Sequence, residues 1–443
     1  YYVYKKDPSS SGWSTPIASL NGTDTGYIDN TLSLNTPVEY RLVKSTGSYS
    51  GYGYTHSGIK LKAPVFRGDI LLIVEDSANN QLAPEISDLK QDLFADGWRV
   101  THIAVRADSS ASFVKSLVLE NFDNLPSLQA VYLLGHVPVP YSGEIAPDAH
   151  TNHVGAWPAD VFYAEMNGTW TDYSVSNTTA SDPRNQNVPG DGKYDQSTLP
   201  SDVELMIGRV DFANLTGFSQ SEMELLRRYL NRTHAYKNGE WQLRKRALID
   251  DNFGGFSGEA FAASGWRNFS PLIGRDSIVS ADYRTSMNAS SYLFSYGCGG
   301  GSFTSAGGIG TSSDLAGDSL QTGFTMLFGS YFGDWDATNN FMRSALAQGT
   351  TMSISWAGRP HWYYQSMGMG YPIGYSAKLT QNNTSVYSNQ QNYGAKWVHT
   401  ALLGDPTLRM EYTLPPTNLA VDSIDTFHIA LNWTASSDQS ILG

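Results

Sequence analysis

Two kinds of apolar pattern alternate along this chain. Between residues 67 and 412, continuous apolar runs are separated by segments of helical period. DILLIVED (Asp69–Asp76) is apolar without a break, as in a strand buried on both faces of a parallel sheet. APEISDLKQDLFADG follows with Ile86, Leu89, Leu93 and Phe94 at helical spacing, and then WRVTHIAV reads as a second strand. A helix over about 112–121 leads to LQAVYLLG, a third strand. This alternation predicts right-handed βαβ crossovers and an α/β domain built on a mostly parallel sheet with flanking helices. VELMIGRV, RALIDDN, SSYLFSYG, FTMLFGSYF and TTMSISWAG supply further strands, and a long helix is expected over about 219–241.

Residues 1–66 and 413–443 follow a different rule. YYVYKK, TPVEYRLVK and the segment between them alternate apolar and polar residues and carry Asn-Gly and Thr-Gly turn signals. That pattern predicts short antiparallel strands. Residues 1–66 resemble the later strands of a fibronectin type III sandwich, with Tyr2, Tyr27, Tyr40 and Leu42 as expected core positions. Residues 413–443 resemble its first strands, through Leu419, Val421 and Ile429–Trp433. Read end to start, LNWTASSDQSILG and YYVYKKDPSSSGW join as one sandwich. A half-sandwich leaves its inner face bare and its edges open, so the halves are expected to pair. They can do so within one chain, between copies head to tail in a filament, or along a longer repeat. The opposing reading is a boundary that falls by chance inside two separate domains. A first residue that is Tyr1 rather than Met also reads as a piece of something longer.

In a parallel sheet the loops after the strands form the site. Those loops hold GHVPVPYSGEIAPDAHTNHVGAWPADVFYAE, SYGCGGGSFTSAGG, FGSYFGDWD and SWAGRPHWYY. They gather His136, His150, His153, Cys298, Ser330, Asp334, Trp335, Asp336, Arg359 and His361 at one predicted edge. At these residues the chain resembles the gingipain-like cysteine peptidases. The resemblance is carried by YLLGHVPVP, by Asp160–Tyr163 with GDGKYDQ and VELMIGRVD, by SYLFSYGCGGG with FTMLFGSYFGDW, and by ALLGDPTLRM. It implies a caspase-like α/β fold over about 67–412, a peptide substrate, and an acidic, metal-binding loop. Two departures matter. Where the family has a Tyr-x-Gly-His-Gly turn, this chain has Ser295-Tyr296-Gly297-Cys298-Gly299. Where the family has its nucleophilic cysteine, after the next strand, it has Ser330. The standard Cys/His dyad is therefore missing, which points to a pseudo-peptidase.

Composition narrows the partners. The chain of 443 residues has 29 Lys and Arg against 42 Asp and Glu, a net charge of −13, so nucleic acid is not expected as a partner. No apolar run is long enough to span a membrane. A single cysteine excludes an internal disulfide framework, and a charged fraction of only 16 % with abundant polar uncharged residues fits an extracellular or cell-surface bacterial protein. Two functions remain open. One is a structural, self-assembling subunit whose gingipain-like domain is a scaffold. The other is a cysteine hydrolase using Cys298 in a glycine-rich turn, with His153, His361 or another loop histidine as base; Ser330 is a further candidate nucleophile. His136, His150, Asp334, Trp335, Asp336 and Arg359 are expected to line the cleft. Asp191 and Asp195, with Asp160, offer hard oxygen ligands suited to calcium, and His150 and His153 beside Asp148 offer a zinc-like set. Each has a plain alternative: a packed small cysteine, a hydrogen-bonded cleft floor, a solvated turn.

Overall fold

The computed structural model describes residues 1–256, 259–389 and 393–438. The last residues of the expected 413–443 segment, 439–443, lie outside the described residues.

The parallel core forms where the apolar runs predict it. Strand β5 (Gly68–Glu75) is buried along its whole length because layers cover both of its faces. Helix α1 (Ala83–Ala95) turns Ile86, Leu89 and Leu93 onto the sheet, with Pro84 in its first turn, where no backbone N–H is needed. Phe94, expected on that stripe, points to solvent, since it lies past the edge of the stripe that Leu93 closes. Strand β6 (Trp98–Val105) follows, then helix α2 (Ala111–Asn124), whose N-cap Ser110 accepts the Phe113 N–H at 3.1 Å. Strands β7 (Leu128–Leu134) and β8 (Met206–Val210) and helix α3 (Glu222–Lys237) complete the first half.

The second half contributes β9 (Ala247–Asp251), helix α4 (Ala263–Ile273), β10 (Ile278–Ser280), β11 (Tyr292–Cys298), β12 (Thr322–Phe328), helix α5 (Phe341–Ala347), β13 (Ser353–Trp356), helix α6 (Ile373–Asn382) and β14 (Ala401–Gly404). The ten strands make one sheet in the order β10-β9-β11-β12-β13-β14-β8-β7-β5-β6. All pairs are parallel except β13–β14. The C-terminal ends of β9, β11, β12 and β13 share one edge, and loop contacts bring the segment after β7 to the segment after β12: Tyr141 Oη donates to Asp336 at 2.6 Å and Ser330 Oγ lies 3.1 Å from His150 Nε2. Cys298 pairs in register with Phe328 and with Asp251, so the ends of β9, β11 and β12 are level. No helix among the described residues is long and apolar enough to cross a membrane.

The chain ends form separate all-β sheets. Strands β1 (Tyr2–Lys6), β2 (Ala18–Ser19), β3 (Pro37–Ser45) and β4 (Ser50–Gly58) make an antiparallel sheet in the order β2-β1-β3-β4. One face rests on the α/β domain. Trp13 Nε1 donates to the Val386 carbonyl at 2.6 Å, and buried Glu39 accepts from Tyr387 Oη at 2.8 Å. Strands β15 (Thr417–Ile424) and β16 (Ile429–Thr434) form a hairpin that is exposed throughout. Tyr2, Tyr27 and Leu42, expected in a sandwich core, are exposed; Leu42 lies on the sheet face turned from the α/β domain, whereas Tyr2 pairs with Val43 on the other face.

Candidate functional site

The strongest geometry lies at the end of β12. Ser330 follows Gly329 in a tight turn. A Cβ at Gly329 would meet the Phe332 ring at 2.6 Å and the Gly299 carbonyl at 2.9 Å, so only glycine lets the strand end pass this close to the β11 turn. Ser330 Oγ lies 3.1 Å from His150 Nε2, a contact made across 180 residues of sequence. With Nε2 unprotonated the hydroxyl donates to it.

His150 is carried by the loop after β7, and Asp148 organises that loop. The Asp148 carboxylate is buried. It meets His153 Nδ1 at 2.7 Å, accepts the Tyr331 N–H at 2.9 Å and accepts the His150 N–H at 3.2 Å. His153 is stacked between His150, with ring centroids 4.8 Å apart, and Tyr331, at 3.6 Å. Ala149 and Tyr331 flank the pair and both have left-handed backbone, at φ 66° and 65°. Such strain in residues with a Cβ costs about 1–3 kcal/mol each and persists only where surrounding bonds hold it. Here Asp148 bonds to the residue after the first and to the second. The arrangement is a Ser–His dyad on a rigid second layer. Asp148 serves His153 and Tyr331, so it is not the third member of a triad.

Cys298, the expected nucleophile, is hydrogen-bonded to a carboxylate and, among the described residues, to no histidine. Its Sγ donates to Asp251 Oδ1 at 3.1 Å, and the side chain is fully buried. Burial, reinforced by the Asp251 carboxylate, pushes the thiol well above its ordinary pKa and keeps it protonated. The other polar groups on it are Tyr296 and the Asn252 N–H; no histidine is among them. The expected bases are placed elsewhere. His153 is committed to Asp148. His361 is buried, with Nδ1 2.7 Å from the Arg359 carbonyl, and burial pushes it down to about 4, so it is neutral at neutral pH.

A second group gathers at the ends of β7 and β8. His136 Nδ1 lies 2.9 Å from Asp211 Oδ2, and Asp336 accepts from Tyr141 Oη at 2.6 Å. One ligand atom from each of His136, Asp211 and Asp336 lies within 4.8 Å of the others. Burial alone would raise Asp211, but His136, Arg343 and Arg209 hold it well below the usual carboxylate range. The hydrogen bond to Asp211 in turn raises His136. Asp334 is fully buried, and that burial pushes it up to about 6 although Arg184 and Asn185 donate to its Oδ2 at 2.6 and 2.7 Å. Trp335 is buried beneath the Arg209 guanidinium. Arg359 is half-buried against the Phe261 and Tyr393 rings. Asp334 and Trp335 are therefore a floor rather than a contact surface, while His136 and Asp336 remain partly open.

The expected calcium ligands do not come together. Asp160 is held bidentately by Arg209 at 2.8 Å through each oxygen. Asp195 accepts N–H bonds from Tyr173, Ser174 and Val175, and Asp191 accepts from Val188 and Lys193. Asp191 and Asp195 share one loop and Asp160 lies on another, each carboxylate is filled by N–H donors, and among the described residues the three do not converge as a calcium cage requires. The zinc-like set also fails to form, because His150 turns its Nε2 to Ser330. Asp148 and Tyr331 are the residues whose role here the sequence reading missed. The spacing Asp148-x-His150-x-x-His153 was the available signal; the left-handed Tyr331 left none.

No protein-family model matches the chain, and no curated protein matches it in sequence. Solved structures do match it in fold. The crystal structure of the Arg-specific cysteine proteinase gingipain R (RgpB) aligns with a TM-score of 0.50 at 15 % identity, covering 84 % of this chain and 86 % of that one. The complex of the pro- and mature domains of Porphyromonas gingivalis RgpB aligns with a TM-score of 0.52 at 15 % identity, covering 82 % and 86 %. The chain thus has a gingipain-like, caspase-like α/β fold.

Proposed function

We propose that this chain is an acyl hydrolase acting on peptide or ester carbonyls, with Ser330 as nucleophile and His150 as general base. The observation that carries this is the 3.1 Å contact between Ser330 Oγ and His150 Nε2 at the open edge of the sheet. In the first step His150 takes the hydroxyl proton as Oγ attacks the carbonyl carbon, and it then returns that proton to the leaving amine or alcohol. Water, deprotonated by the same imidazole, releases the acyl group and restores Ser330. The Ser330 N–H, against which the Gly301 backbone packs, is the donor this reading assigns to the developing oxyanion; the Gly299 N–H is taken by the Phe328 carbonyl. The gingipain-like fold favours a peptide as the carbonyl donor.

Native protein should react with a fluorophosphonate, losing fluoride and carrying the phosphonyl group on the Ser330 peptide. Ser330→Ala should abolish that adduct, His150→Ala should slow it by about 10²–10⁴-fold, and Cys298→Ala should leave it intact. Absence of label at Ser330, or equal labelling of His150→Ala, refutes the assignment.

A second reading is favoured by a separate observation, the exposed hairpin β15–β16. In it the chain is an extracellular or cell-surface subunit, of bacterial type, whose two ends are halves of a split fibronectin type III-like sandwich and whose α/β domain is displayed by self-assembly. Low charge and a single cysteine support that location. The two readings are compatible, since the dyad and the terminal sheets lie in different parts of the chain.

A further inference from the structure

We propose that His136, Asp211 and Asp336 hold a divalent first-row transition ion of the zinc type where β7 and β8 end. The backbone brings the ligands together. Leu134 pairs in register with Val210 and with Val74, so β7, β8 and β5 end level and deliver His136, Asp211 and Glu75 to one corner. Asp336 arrives from the segment after β12, and one ligand atom of each of the three lies within 4.8 Å of the others. With metal–ligand bonds of about 2.0–2.2 Å, ligand atoms stand about 3.3 Å apart, so side-chain rotations close the site. An imidazole with two carboxylates selects a zinc-like ion over calcium or magnesium, which take oxygen ligands.

The hydrogen bonds leave one oxygen of each carboxylate for the ion. On Asp211, Oδ1 accepts from the Ala213 N–H at 2.9 Å and from Arg343 at 3.2 Å, while Oδ2 faces His136 Nδ1 at 2.9 Å. On Asp336, Oδ2 accepts from Tyr141 Oη at 2.6 Å, while Oδ1 is sealed from solvent with no hydrogen-bond partner. Outer donors of this kind orient metal ligands. A sealed acceptor without a donor is costly, and a cation satisfies it. Charge around the corner is unbalanced in the same sense. Glu222, in the first turn of α3, also has a sealed and unpartnered Oε1, and burial together with the Asp211 charge pushes it up to about 7. Arg209, 3.6 Å from Asp211, is held by both oxygens of Asp160. That leaves Arg343 and the partly exposed His136 against Glu75, Asp211, Glu222 and Asp336. The ion takes the place of the proton between His136 Nδ1 and Asp211 Oδ2, and that proton leaves to solvent. The open side of His136 keeps a coordination position for water. The ion ties the segment after β12 to the first half of the sheet, and the site stands whether or not Ser330 is a nucleophile.

The test uses the full chain, stripped with EDTA, and zinc alone, with a chromophoric chelator as competitor. One equivalent should bind with a micromolar or tighter Kd and raise the Tm, and cobalt in its place should give visible ligand-field absorption. Tyr141→Phe, which frees Asp336, should weaken binding about 10-fold. His136→Ala and Asp336→Ala, at partly exposed positions that leave the core intact, should each weaken it at least about 100-fold and lose the rise in Tm. His150→Ala should bind zinc as the native chain does. A chain that takes up no zinc from the chelator, or an affinity that survives His136→Ala, overturns the site. Loss of binding in His150→Ala puts the ion on the Asp148 loop and likewise overturns it. Displacement of zinc by millimolar calcium overturns the class of ion.

Discussion

Replacing Asp148 by alanine tests the architecture of the dyad more sharply than removing the dyad itself. The carboxylate is 2 % exposed and serves three groups: His153 at 2.7 Å, the Tyr331 N–H at 2.9 Å and the His150 N–H at 3.2 Å. The first two are short and shielded, and leaving each without a partner costs about 1–3 kcal/mol. Relaxation of the left-handed Ala149 and Tyr331 returns part of that, because their strain is no longer held. The net loss of stability should be about 2–4 kcal/mol, read as a lower urea midpoint for the α/β transition. The functional loss should exceed the structural one. Once Tyr331 and His150 are released, the Oγ–Nε2 contact loses its register, and a misplacement of about 1 Å costs on the order of 10² in rate. Fluorophosphonate labelling of Ser330 should therefore slow by at least that factor under conditions where the variant remains folded. Asp148→Asn keeps one acceptor and should fall between the two. The reasoning is refuted if Asp148→Ala loses less than about 1 kcal/mol and labels at the wild-type rate.

Two further outcomes follow from buried ionisable groups. Asp334 is raised by burial from 3.8 to about 6, so folding favours its neutral form. Its contribution is most favourable below pH 3.8 and declines as pH rises through about 6. Relative to Asp334→Asn, the wild type should lose about 2 kcal/mol between pH 4 and pH 7. Urea midpoints of both proteins at the two pH values check this, and a difference that does not change with pH contradicts it. Cys298 is the only cysteine, buried beside a carboxylate. An aromatic disulfide reagent should titrate no thiol in the native protein at pH 8 and one in guanidinium, and a fast native reaction would restore it as a candidate nucleophile.

The scaffold was far more legible than the site. Asp69–Asp76 could be read as a buried parallel strand because both of its faces are covered, and the Ile86–Leu89–Leu93 stripe fixed which side of its helix meets the sheet. The strand-end loops were legible as a set of candidates. Which members meet was not. Ser330 and His150 are 180 residues apart, and their contact depends on a loop shaped by buried Asp148. Cys298 looked activated by its glycines, yet its ionisation is decided by Asp251, in register on the neighbouring strand. Asp160 has the residue type of a metal ligand, but Arg209 on β8 takes both of its oxygens. Partners across strands are a tertiary fact that local patterns do not carry.

On the proposed dyad, these placements explain why the base comes from the loop after β7. At the turn after β11, where the resemblance puts a histidine, stands a thiol kept protonated by burial and Asp251, and it cannot accept a proton from Ser330. The loop that brings His150 is fixed by the segment after β13 and by the one leading into β14. Tyr393 Oη donates to the Ala146 carbonyl at 2.7 Å, and Gly358, at φ 71°, packs directly on the Pro147 carbonyl. A Cβ at Gly358 would fall well inside van der Waals contact with that oxygen, and its backbone is one that residues with a Cβ rarely adopt. Gly358→Ala must therefore push the 145–150 segment outward, away from a nucleophile it does not touch. The expected result is a loss of Ser330 labelling of about 10²-fold, with Cys298 as unreactive in the native protein as before. If labelling survives Gly358→Ala, the loop does not hold the base, and the dyad does not depend on the packing that assigns it.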